Sequence, residues 1–259
     1  MDFKKFYDEH SEYVARRAEG SRNYKEYIQE ISFKTEFLLK VIDQNKQYDS
    51  ILEVGCANGI LIDMISKKLG VKGDVFGIDI SEKNISDASK RFPNIQFYEG
   101  TIESFIMSHD KEFDLVVLSD IIEHVPDDLD FLKQVGVITK QVVINLPLEK
   151  SFNNRNRNYG ENDSSGHLRS YSYNDGVALI EKAGFEIICY KRVISIRDSE
   201  DMYGIYKTKQ KERLKNKGFA KRMFWGFFYY MKDSIIMKNS YIYRKLYGEN
   251  LYCLAIKSA

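Results

Sequence analysis

The sequence predicts a doubly wound α/β fold, in which helices cover both faces of a mostly parallel β-sheet. Short apolar runs alternate with helical stretches from residue 50 to residue 190, which is the pattern of consecutive strand–helix units. The first run passes through a glycine-containing turn into a helix, and residues 251–256 form one more apolar run that returns to the sheet. Strands covered by helices on both faces pair mostly in parallel.

The elements follow one another in a regular order. Residues 1–44 are polar and helical, and the apolar side chains from Ile28 through Ile31 and Leu38 to Ile42 keep helical spacing, so one face of this segment should dock. Strands are predicted at 51–54, 75–78, 95–98, 115–118, 142–146 and 185–190, and helices at 61–69, 82–92, 102–108, 129–139 and 174–183. The polar stretch 151–166 is long enough to be a lid, a binding loop or a disordered segment.

Composition excludes several classes of protein. The 259 residues are 43% hydrophobic and 30% charged, which is ordinary for a soluble globular chain. No run approaches the roughly 18 apolar residues of a membrane-spanning helix, and the first residues lack the apolar stretch of a signal peptide. Cys56, Cys189 and Cys253 are too far apart for a disulfide framework or a zinc site, so we expect a reducing cytoplasm.

The charge is distributed unevenly along the chain. Residues 201–259 contain 13 basic and 4 acidic residues, a balance of +9, whereas the first 200 contain 26 and 34, a balance of −8. Basic residues lead into an aromatic run over 223–231. This pattern fits peripheral attachment to an anionic membrane, with Trp225, Phe227 and Phe228 at the headgroup boundary. The alternatives are that the aromatic side chains are buried in the core or line a pocket, and that the basic stretch is merely solvated.

The strongest motif is the turn after the first predicted strand. It reads G-x-A-x-G, and Glu53 lies two residues before its first glycine. Glycines allow a sharp turn and close approach to a ligand, but a dinucleotide site would need G-x-G-x-x-G to hold a pyrophosphate. The turn therefore favours a positively charged ligand without a diphosphate. The predicted binding residues here are Glu53, Gly55, Cys56, Ala57, Asn58 and Gly59.

This motif resembles the first motif of the class I S-adenosylmethionine (SAM)-dependent methyltransferases, which is similar to E-x-G-x-G-x-G, with Ala57 at the middle glycine. The resemblance implies a Rossmann-like, seven-stranded sheet with an antiparallel last strand, and SAM as cofactor with S-adenosylhomocysteine as product. The resemblance covers about residues 48–190 and does not reach the first 45 residues or the basic extension. The organisation of the whole chain predicts a helical cap at 1–44, a SAM-binding core at 45–192, a basic and aromatic helical insertion at 193–249 and the final strand of the core sheet at 250–259.

The next three strands end in further candidate cofactor residues. Asp79 follows the second strand, where an acid can accept both ribose hydroxyls, and Ile80 lies beside it. Asp79 could instead cap the next helix, but Ser81 is the better N-cap. In the resembling family an Asp often holds the adenine amino group at the position of Thr101, so here adenine would rest on the backbone and side chain of Ile102. Ser119 and Asp120, after the fourth strand, would lie under the methionine part.

Two histidines are candidate catalytic bases. The resemblance places His124 in a Glu-His-Val segment typical of the ubiquinone-biosynthesis-like branch, and His167 and Arg169 in a His-x-Arg-x-aromatic segment that would line the acceptor pocket. An imidazole can remove the proton of a hydroxyl acceptor, but either histidine could be structural. Asp120, Glu123 and His124 also offer metal ligands, yet their spacing does not require them to converge, so we expect no metal.

These residues predict an enzyme that O-methylates a small molecule, a sugar or a lipid-linked acceptor. A nucleic-acid methyltransferase that uses the basic extension is an alternative, although the Pro-Pro-aromatic motif of enzymes that methylate exocyclic amines of nucleobases is absent after the fourth strand. A non-catalytic SAM-fold interaction protein is another. A nicotinamide-dependent oxidoreductase would share the sheet, but its phosphate fingerprint is missing. The oligomeric state cannot be read from these patterns.

Overall fold

The computed structural model describes Asp8, Arg17 and residues 20–258, apart from residues 161, 162, 216 and 237. Most of the segment before residue 20, which was predicted as part of the helical cap, lies outside the described residues. The described chain forms a seven-stranded mixed sheet with flanking helices, so the predicted fold class is confirmed.

From the first strand to the sixth, helices and strands alternate as predicted, and their boundaries differ from the predicted ones by at most three residues. In chain order they are α1 (Arg22–Leu39), β1 (Ser50–Val54), α2 (Ile60–Leu69), β2 (Asp74–Asp79), α3 (Glu82–Arg91), β3 (Gln96–Glu99), α4 (Ile102–Ser108), β4 (Leu115–Ser119), α5 (Asp128–Ile138), β5 (Gln141–Leu148), α6 (Tyr173–Lys182), β6 (Phe185–Val193), α7 (Ser195–Asp198), α8 (Glu200–Lys215), α9 (Phe219–Met231), α10 (Ser240–Tyr247) and β7 (Glu249–Lys257).

The sheet has the strand order β3-β2-β1-β4-β5-β7-β6. The pairs β1–β2, β2–β3, β1–β4 and β4–β5 are parallel, whereas β7 is antiparallel to both β5 and β6. The chain leaves β1 towards β2 and later returns to β1's other side as β4. The strand order therefore reverses between β1 and β4, and ligands of such sheets bind at the carboxyl ends of the strands there.

Alternating side chains of the central strands supply two separate hydrophobic layers. Val116 and Leu118 of β4 face the layer that α4, α5 and α6 cover. Leu115 and Val117 face the opposite layer, which α1 and α2 cover. Ile31 of α1 is buried in this second layer. The face of α1 predicted to dock therefore docks on the sheet, and it does so beside β1, close to the reversal point.

The insertion between β6 and β7 is helical, as expected, and comprises α7 to α10. Helix α8 is tied to α1 by an ion pair between Lys209 and Glu26, with 3.1 Å between the charged atoms. The polar stretch over 151–166 is tied to α10, because the N–H of Phe152 donates to the carbonyl of Lys245 at 2.9 Å. Within the described part of the chain, no helix combines the length and apolar character needed to span a membrane.

Candidate functional site

A cavity of ≈ 740 Å³ opens at the carboxyl ends of β1, β2 and β4, at the point where the strand order reverses. Helix α1 and strand β7 complete its wall through Lys34 and Tyr252. Most of the predicted site residues line this one cavity: Glu53, Gly55, Cys56, Ala57, Asp79, Ile80, Thr101, Ile102, Ser119, Asp120, His124 and His167. The structure thus gathers the candidate cofactor residues and both candidate bases.

The turn after β1 has the backbone conformation that its glycine pattern predicts. Gly55 has φ +80°, and a side chain there would come within 2.9 Å of the Ile121 side chain. Ala57 also has a positive φ, of 49°, although it is not glycine. Its N–H donates to Oδ2 of Asp79 at 2.8 Å, which holds the turn against the end of β2. The turn therefore forms with Ala57 at the position of the family's middle glycine, as expected.

Asn58 and Gly59 do not line the cavity in the structure. Asn58 is buried, and its Oδ1 accepts a hydrogen bond from the Tyr27 hydroxyl at 2.9 Å. Gly59 is the N-cap of α2 with φ +76°, and a Cβ there would lie 2.6 Å from the Phe97 ring. Asn58 thus ties the turn to α1, and Gly59 allows β3 to pack closely against it. Because neither side chain reaches the cavity, the predicted contact of these two residues with the cofactor would have to be made by their backbone atoms.

Asp79 lies at the end of β2, and its carboxylate has three donors. Ala57 N–H reaches Oδ2, while Ser81 N–H at 2.9 Å and the Asn84 side-chain amide at 3.1 Å reach Oδ1. Ser81, not Asp79, caps α3, because its hydroxyl accepts from the N–H of Asn84 at 3.1 Å. The carboxylate is thereby fixed while it still faces the cavity, and it has acceptor capacity left for a ligand hydroxyl.

Glu53 is a buried acid in the cavity wall. It is 2% exposed, and its Oε2 has no hydrogen-bond partner among the described residues. Burial, with a contribution from the charge of Asp79, raises the pKa of Glu53 to about 8, although a backbone hydrogen bond from Ile62 opposes the rise. A buried carboxyl group with one oxygen left without a hydrogen-bond partner beside a cavity fits a ligand that brings a donor or a positive charge.

Thr101 and Ile102 occupy the edge of the cavity at the start of α4. Thr101 is the N-cap, and it forms a capping box in which its Oγ1 accepts from the N–H of Ser104 at 3.2 Å. Ile102 is 4% exposed and packs into the core below. This fits the expectation that the edge offers packing and backbone groups. The Thr101 hydroxyl is engaged with the helix, as are N-caps in general.

Asp120, directly after β4, is the hub of a polar network. Its Oδ2 accepts from the Asn145 side-chain amide at 2.9 Å and forms an ion pair with Lys34 at 3.0 Å. Burial would lower the pKa of Lys34, but the charges of Asp120 and Glu30 outweigh it and raise that pKa well above its usual value. Neither Lys34 nor Asn145 was predicted from the sequence. A signal existed for Lys34, because it lies on the docking face of α1, three residues after Ile31.

His124 and His167 lie side by side in the wall, with ring centroids 4.7 Å apart and perpendicular rings. Nδ1 of His124 is 3.0 Å from the carbonyl oxygen of Gly166. Burial, followed by the neighbouring His167, lowers the pKa of His124 to about 4. Nδ1 of His167 is 2.7 Å from Oε2 of Glu149. His124 thus orders the loop around Gly166 while it lines the cavity, and His167 forms an imidazole–carboxylate pair.

A partly buried ion network supports the His167–Glu149 pair. Nη1 of Arg157 is 2.9 Å from Oε1 of Glu149, and Nε of Arg157 is 2.6 Å from Oδ2 of Asp163. Asp163 accepts in turn from the N–H of His167 at 3.2 Å. Burial would raise the pKa of Glu149, but the hydrogen bond and charge of His167, with Arg157, hold it below its usual value. The stretch over 151–166 therefore fixes part of the cavity wall.

Arg169 does not reach the cavity. Its Nη1 lies 2.9 Å from Oδ2 of Asp128, at the start of α5, in an ion pair. The prediction that Arg169 lines the acceptor pocket is therefore wrong, because Asp128 holds the guanidinium outside the cavity wall.

Three side chains could hold a metal ion. Glu123, His124 and His167 each offer one ligand atom, and these atoms lie within 4.8 Å of one another. Neither carboxylate oxygen of Glu123 has a hydrogen-bond partner among the described residues, and burial, with the charge of Asp120, raises the Glu123 pKa well above its usual value. Asp120 is not part of this group. The expectation that the site has no metal stays a prediction.

Comparison with protein families decides the class of this chain. The family model described as "Methyltransferase domain" matches residues 21–190, which include α1, the cavity turns and both histidines.

The chain belongs to the class I SAM-dependent methyltransferase family.

Among curated methyltransferases, the ubiquinone biosynthesis O-methyltransferase of Albidiferax ferrireducens is 32% identical over 95 residues, which are 35% of this chain and 36% of that protein. The protein of the same name from Actinobacillus pleuropneumoniae is 30% identical over 98 residues, 35% of this chain and 41% of that protein. The matches thus span well under half of these relatives, so they carry the shared methyltransferase core and not the remainder of either protein.

Solved structures confirm the methyltransferase fold over nearly the whole chain. The magnesium protoporphyrin IX methyltransferase from Synechocystis PCC 6803, with bound S-adenosylhomocysteine, has a TM-score of 0.59 at 11% identity and covers 99% of this chain and 98% of that one. The plantazolicin methyltransferase has a TM-score of 0.58 at 16% identity, with 99% and 95% covered. A [4+2]-cyclase has a TM-score of 0.56 at 13% identity, with 87% and 80% covered, so the fold alone does not fix the reaction.

Proposed function

We propose that this chain transfers a methyl group from SAM to a hydroxyl of a small acceptor: a free metabolite, a sugar or a group carried on a lipid. The observation that carries the proposal is one cavity in which the turn of Gly55 and the carboxylate of Asp79 meet the partly buried pair of His124 and His167. Cofactor residues and candidate bases on one cavity allow donor and acceptor to be aligned, which is how such an enzyme lowers its barrier.

The residues in the wall fit SAM. Asp79 has acceptor capacity for ribose hydroxyls, and the partnerless carboxyl oxygen of Glu53 fits a cationic ligand. Ile102 offers an apolar surface for adenine, and Ser119 and Asp120 lie on the same wall for the methionine part. When bound, SAM supplies an electrophilic methyl group on its sulfonium. The chain then has to orient the acceptor, exclude water and take a proton.

His167 is the residue that we assign to the proton. Its Nδ1 is engaged by Glu149, which leaves Nε2 as the nitrogen that can accept. A carboxylate hydrogen-bonded to the first nitrogen fixes the tautomer and stabilises the imidazolium that forms. His124 has its Nδ1 on the carbonyl of Gly166, so its part is to order the wall beside the acceptor.

O-methylation, as opposed to transfer to nitrogen or carbon, is supported by the curated relatives, which are O-methyltransferases by name. The imidazole–carboxylate pair also fits a hydroxyl acceptor, because a hydroxyl must lose its proton during transfer, whereas a tertiary amine has no proton to lose. We assign the acceptor to the small molecules because the cavity of ≈ 740 Å³ must hold it together with SAM.

Binding and turnover test the two halves of this proposal. Calorimetry should show SAM and S-adenosylhomocysteine binding with micromolar-scale affinity and no binding of NAD. A screen of hydroxyl-bearing small molecules and sugar or lipid conjugates with methyl-labelled SAM should then give a labelled ether. Binding of NAD without SAM would contradict the cofactor assignment, and label appearing only on nitrogen or carbon would contradict O-methylation.

A further inference from the structure

Helix α9, over Phe219–Met231, has no buried residue. Its exposed side chains are unusually large and apolar: Phe219 is 74% exposed, and Phe224 and Phe227 are 65% exposed each. Met223, Phe228, Tyr230 and Met231 are exposed as well. An apolar surface of this extent on a folded chain marks a site of contact with another protein or a membrane.

The exposed side chains form one continuous face. Phe219, Met223 and Phe227 recur every four residues, so they lie in one row along the helix, and Phe224 and Phe228 form a second row beside it. The two rows together cover about half of the helix circumference. A helix with one exposed apolar face of this width can lie in an interface plane.

Trp225 lies on the other side of α9. It is partly buried, although it was expected to face lipid, and Nζ of Lys217 lies 5.6 Å from its ring centroid. Tyr229, four residues on, is partly buried as well and its ring is 6.0 Å from that of Trp225. The side of α9 that holds Trp225 and Tyr229 is thus less exposed than the aromatic face, which is the surface that α9 offers to a partner.

The charges around α9 select the kind of partner. Between residues 207 and 222 the chain has eight basic residues and one acidic residue. Lys221 and Arg222 belong to α9 itself and are exposed, and Lys211, Arg213 and Lys215 of α8 are exposed as well. A second copy of the chain would bring the same positive charges into contact, whereas anionic lipid headgroups complement them.

We propose that α9 docks on an anionic lipid bilayer, with the face of Phe219, Met223, Phe224, Phe227 and Phe228 in the headgroup boundary and the basic side chains on lipid phosphates. This goes beyond the proposed function, since it concerns a surface outside the cavity. The apolar face of α9 and the cavity are one helix apart, because α8, which precedes α9, contributes Met202 to the cavity wall. Docking would therefore hold the cavity near the bilayer surface.

Co-sedimentation with vesicles tests the proposal directly. The full chain would be incubated with vesicles of phosphatidylcholine alone and of phosphatidylcholine with phosphatidylglycerol, at low and at high salt, and the bound fraction would be measured. We expect binding to the anionic vesicles and at least tenfold weaker binding at high salt, since the attraction between surface charges is screened. Neutral vesicles should bind far less.

Neutral polar replacements separate the apolar face from general charge. Phe224→Ser with Phe227→Ser should weaken vesicle binding at least tenfold, without a change in thermal unfolding, because both side chains are exposed. Met107→Ser is the matched control: Met107 is an 83% exposed apolar side chain on α4, and its replacement should leave binding unchanged. Neither test depends on methyltransferase activity, so its result is independent of the proposed function.

Three results would overturn the proposal. One is a wild-type chain that ignores anionic vesicles at low salt. The second is binding that the double variant retains at full strength, because the aromatic face would then have no part in it. The third is a wild-type dimer in sedimentation, free of vesicle binding, that the double variant converts to a monomer, because the face would then join two copies of the chain.

Discussion

The buried carboxyl group of Glu53 makes the proposed binding of SAM measurable as a release of protons. Its pKa is raised to about 8 in the ligand-free chain, so at pH 7 about nine-tenths of the molecules have Glu53 protonated. SAM has a net positive charge, and a positive charge close to a carboxyl group lowers its pKa by about 1–3. Lowering by about 2 leaves roughly one-tenth protonated, so binding releases about 0.8 proton at pH 7.

Calorimetry in buffers with different ionisation enthalpies measures this number. The observed binding enthalpy plotted against the buffer's ionisation enthalpy should have a slope of about 0.8 proton at pH 7, which falls to about 0.1 at pH 9, where Glu53 is already ionised. Glu53→Gln should abolish the slope. Glu103→Gln removes an exposed acid from the same cavity wall and should leave it unchanged. A wild-type slope near zero, or an equal slope with Gln at residue 53, would refute the reasoning.

The same group affects folding stability, which provides a second readout. Because the pKa of Glu53 is raised from 4.5 to about 8 on folding, the folded chain binds this proton more tightly than the unfolded chain. The stabilisation that protonated Glu53 contributes to the folded chain is therefore fully present below pH 4.5. It is lost as the pH rises to 8, at up to about 1.4 kcal/mol per pH unit. The Glu53→Gln variant has no carboxyl group to ionise there, so it should not lose this stability as the pH rises. At pH 8 it should therefore unfold at a higher temperature than the wild type.

The remaining predictions concern the cofactor carboxylate, the histidines and the metal. Asp79→Ala should weaken SAM binding by about 1–3 kcal/mol in calorimetry, the usual cost of a lost charged hydrogen bond, whereas an unchanged affinity would remove Asp79 from the site. Asp79→Asn is the companion variant, because it keeps an oxygen for the N–H of Ala57 and so tests the charge with the turn intact. Once an acceptor is known, His167→Ala should lower turnover by about 10²–10⁴-fold and leave SAM affinity nearly unchanged, with a smaller loss for His124→Ala; near-normal turnover in both would mean that another group takes the proton. A chelator should leave turnover unchanged, and a loss restored by one divalent cation would instead make Glu123, His124 and His167 its ligands.

The strands and turns that hold the site were predictable because the sequence patterns that mark them are local. Glycine positions mark turns, and short apolar runs mark strands whose carboxyl ends share one edge of a parallel sheet. Gly55, Asp79 and Ser119 could therefore be placed on one edge without knowledge of any contact between them. The antiparallel last strand came from resemblance to a family, since no local pattern distinguishes it, and the order of the strands was not predicted.

The supporting residues were missed because they come from distant parts of the chain. Lys34 reaches Asp120 across 86 positions of sequence, and Asn145 reaches it from the neighbouring strand β5. Arg157 and Glu149 form their ion pair only because the long loop folds back on the end of β5. A polar residue on the docking face of a helix, as Lys34 is, was the one signal available. Pairing of charges across such distances depends on tertiary packing, which single-sequence patterns do not contain.

Backbone strain marks the same end of the cavity. Among the described residues, Ala57 with φ 49° and Asp120 with φ 52° are the two non-glycine residues in the left-handed region. Each conformation costs on the order of 1 kcal/mol, so it persists only where neighbouring contacts hold it. Asp79 holds Ala57 through its N–H, and Asn145 and Lys34 hold Asp120 through its carboxylate. The two positions follow β1 and β4, the adjacent strands at which the sheet order reverses. The missing middle glycine of the first motif therefore does not argue against a SAM site, because the chain maintains the required turn at a cost that its own carboxylate offsets.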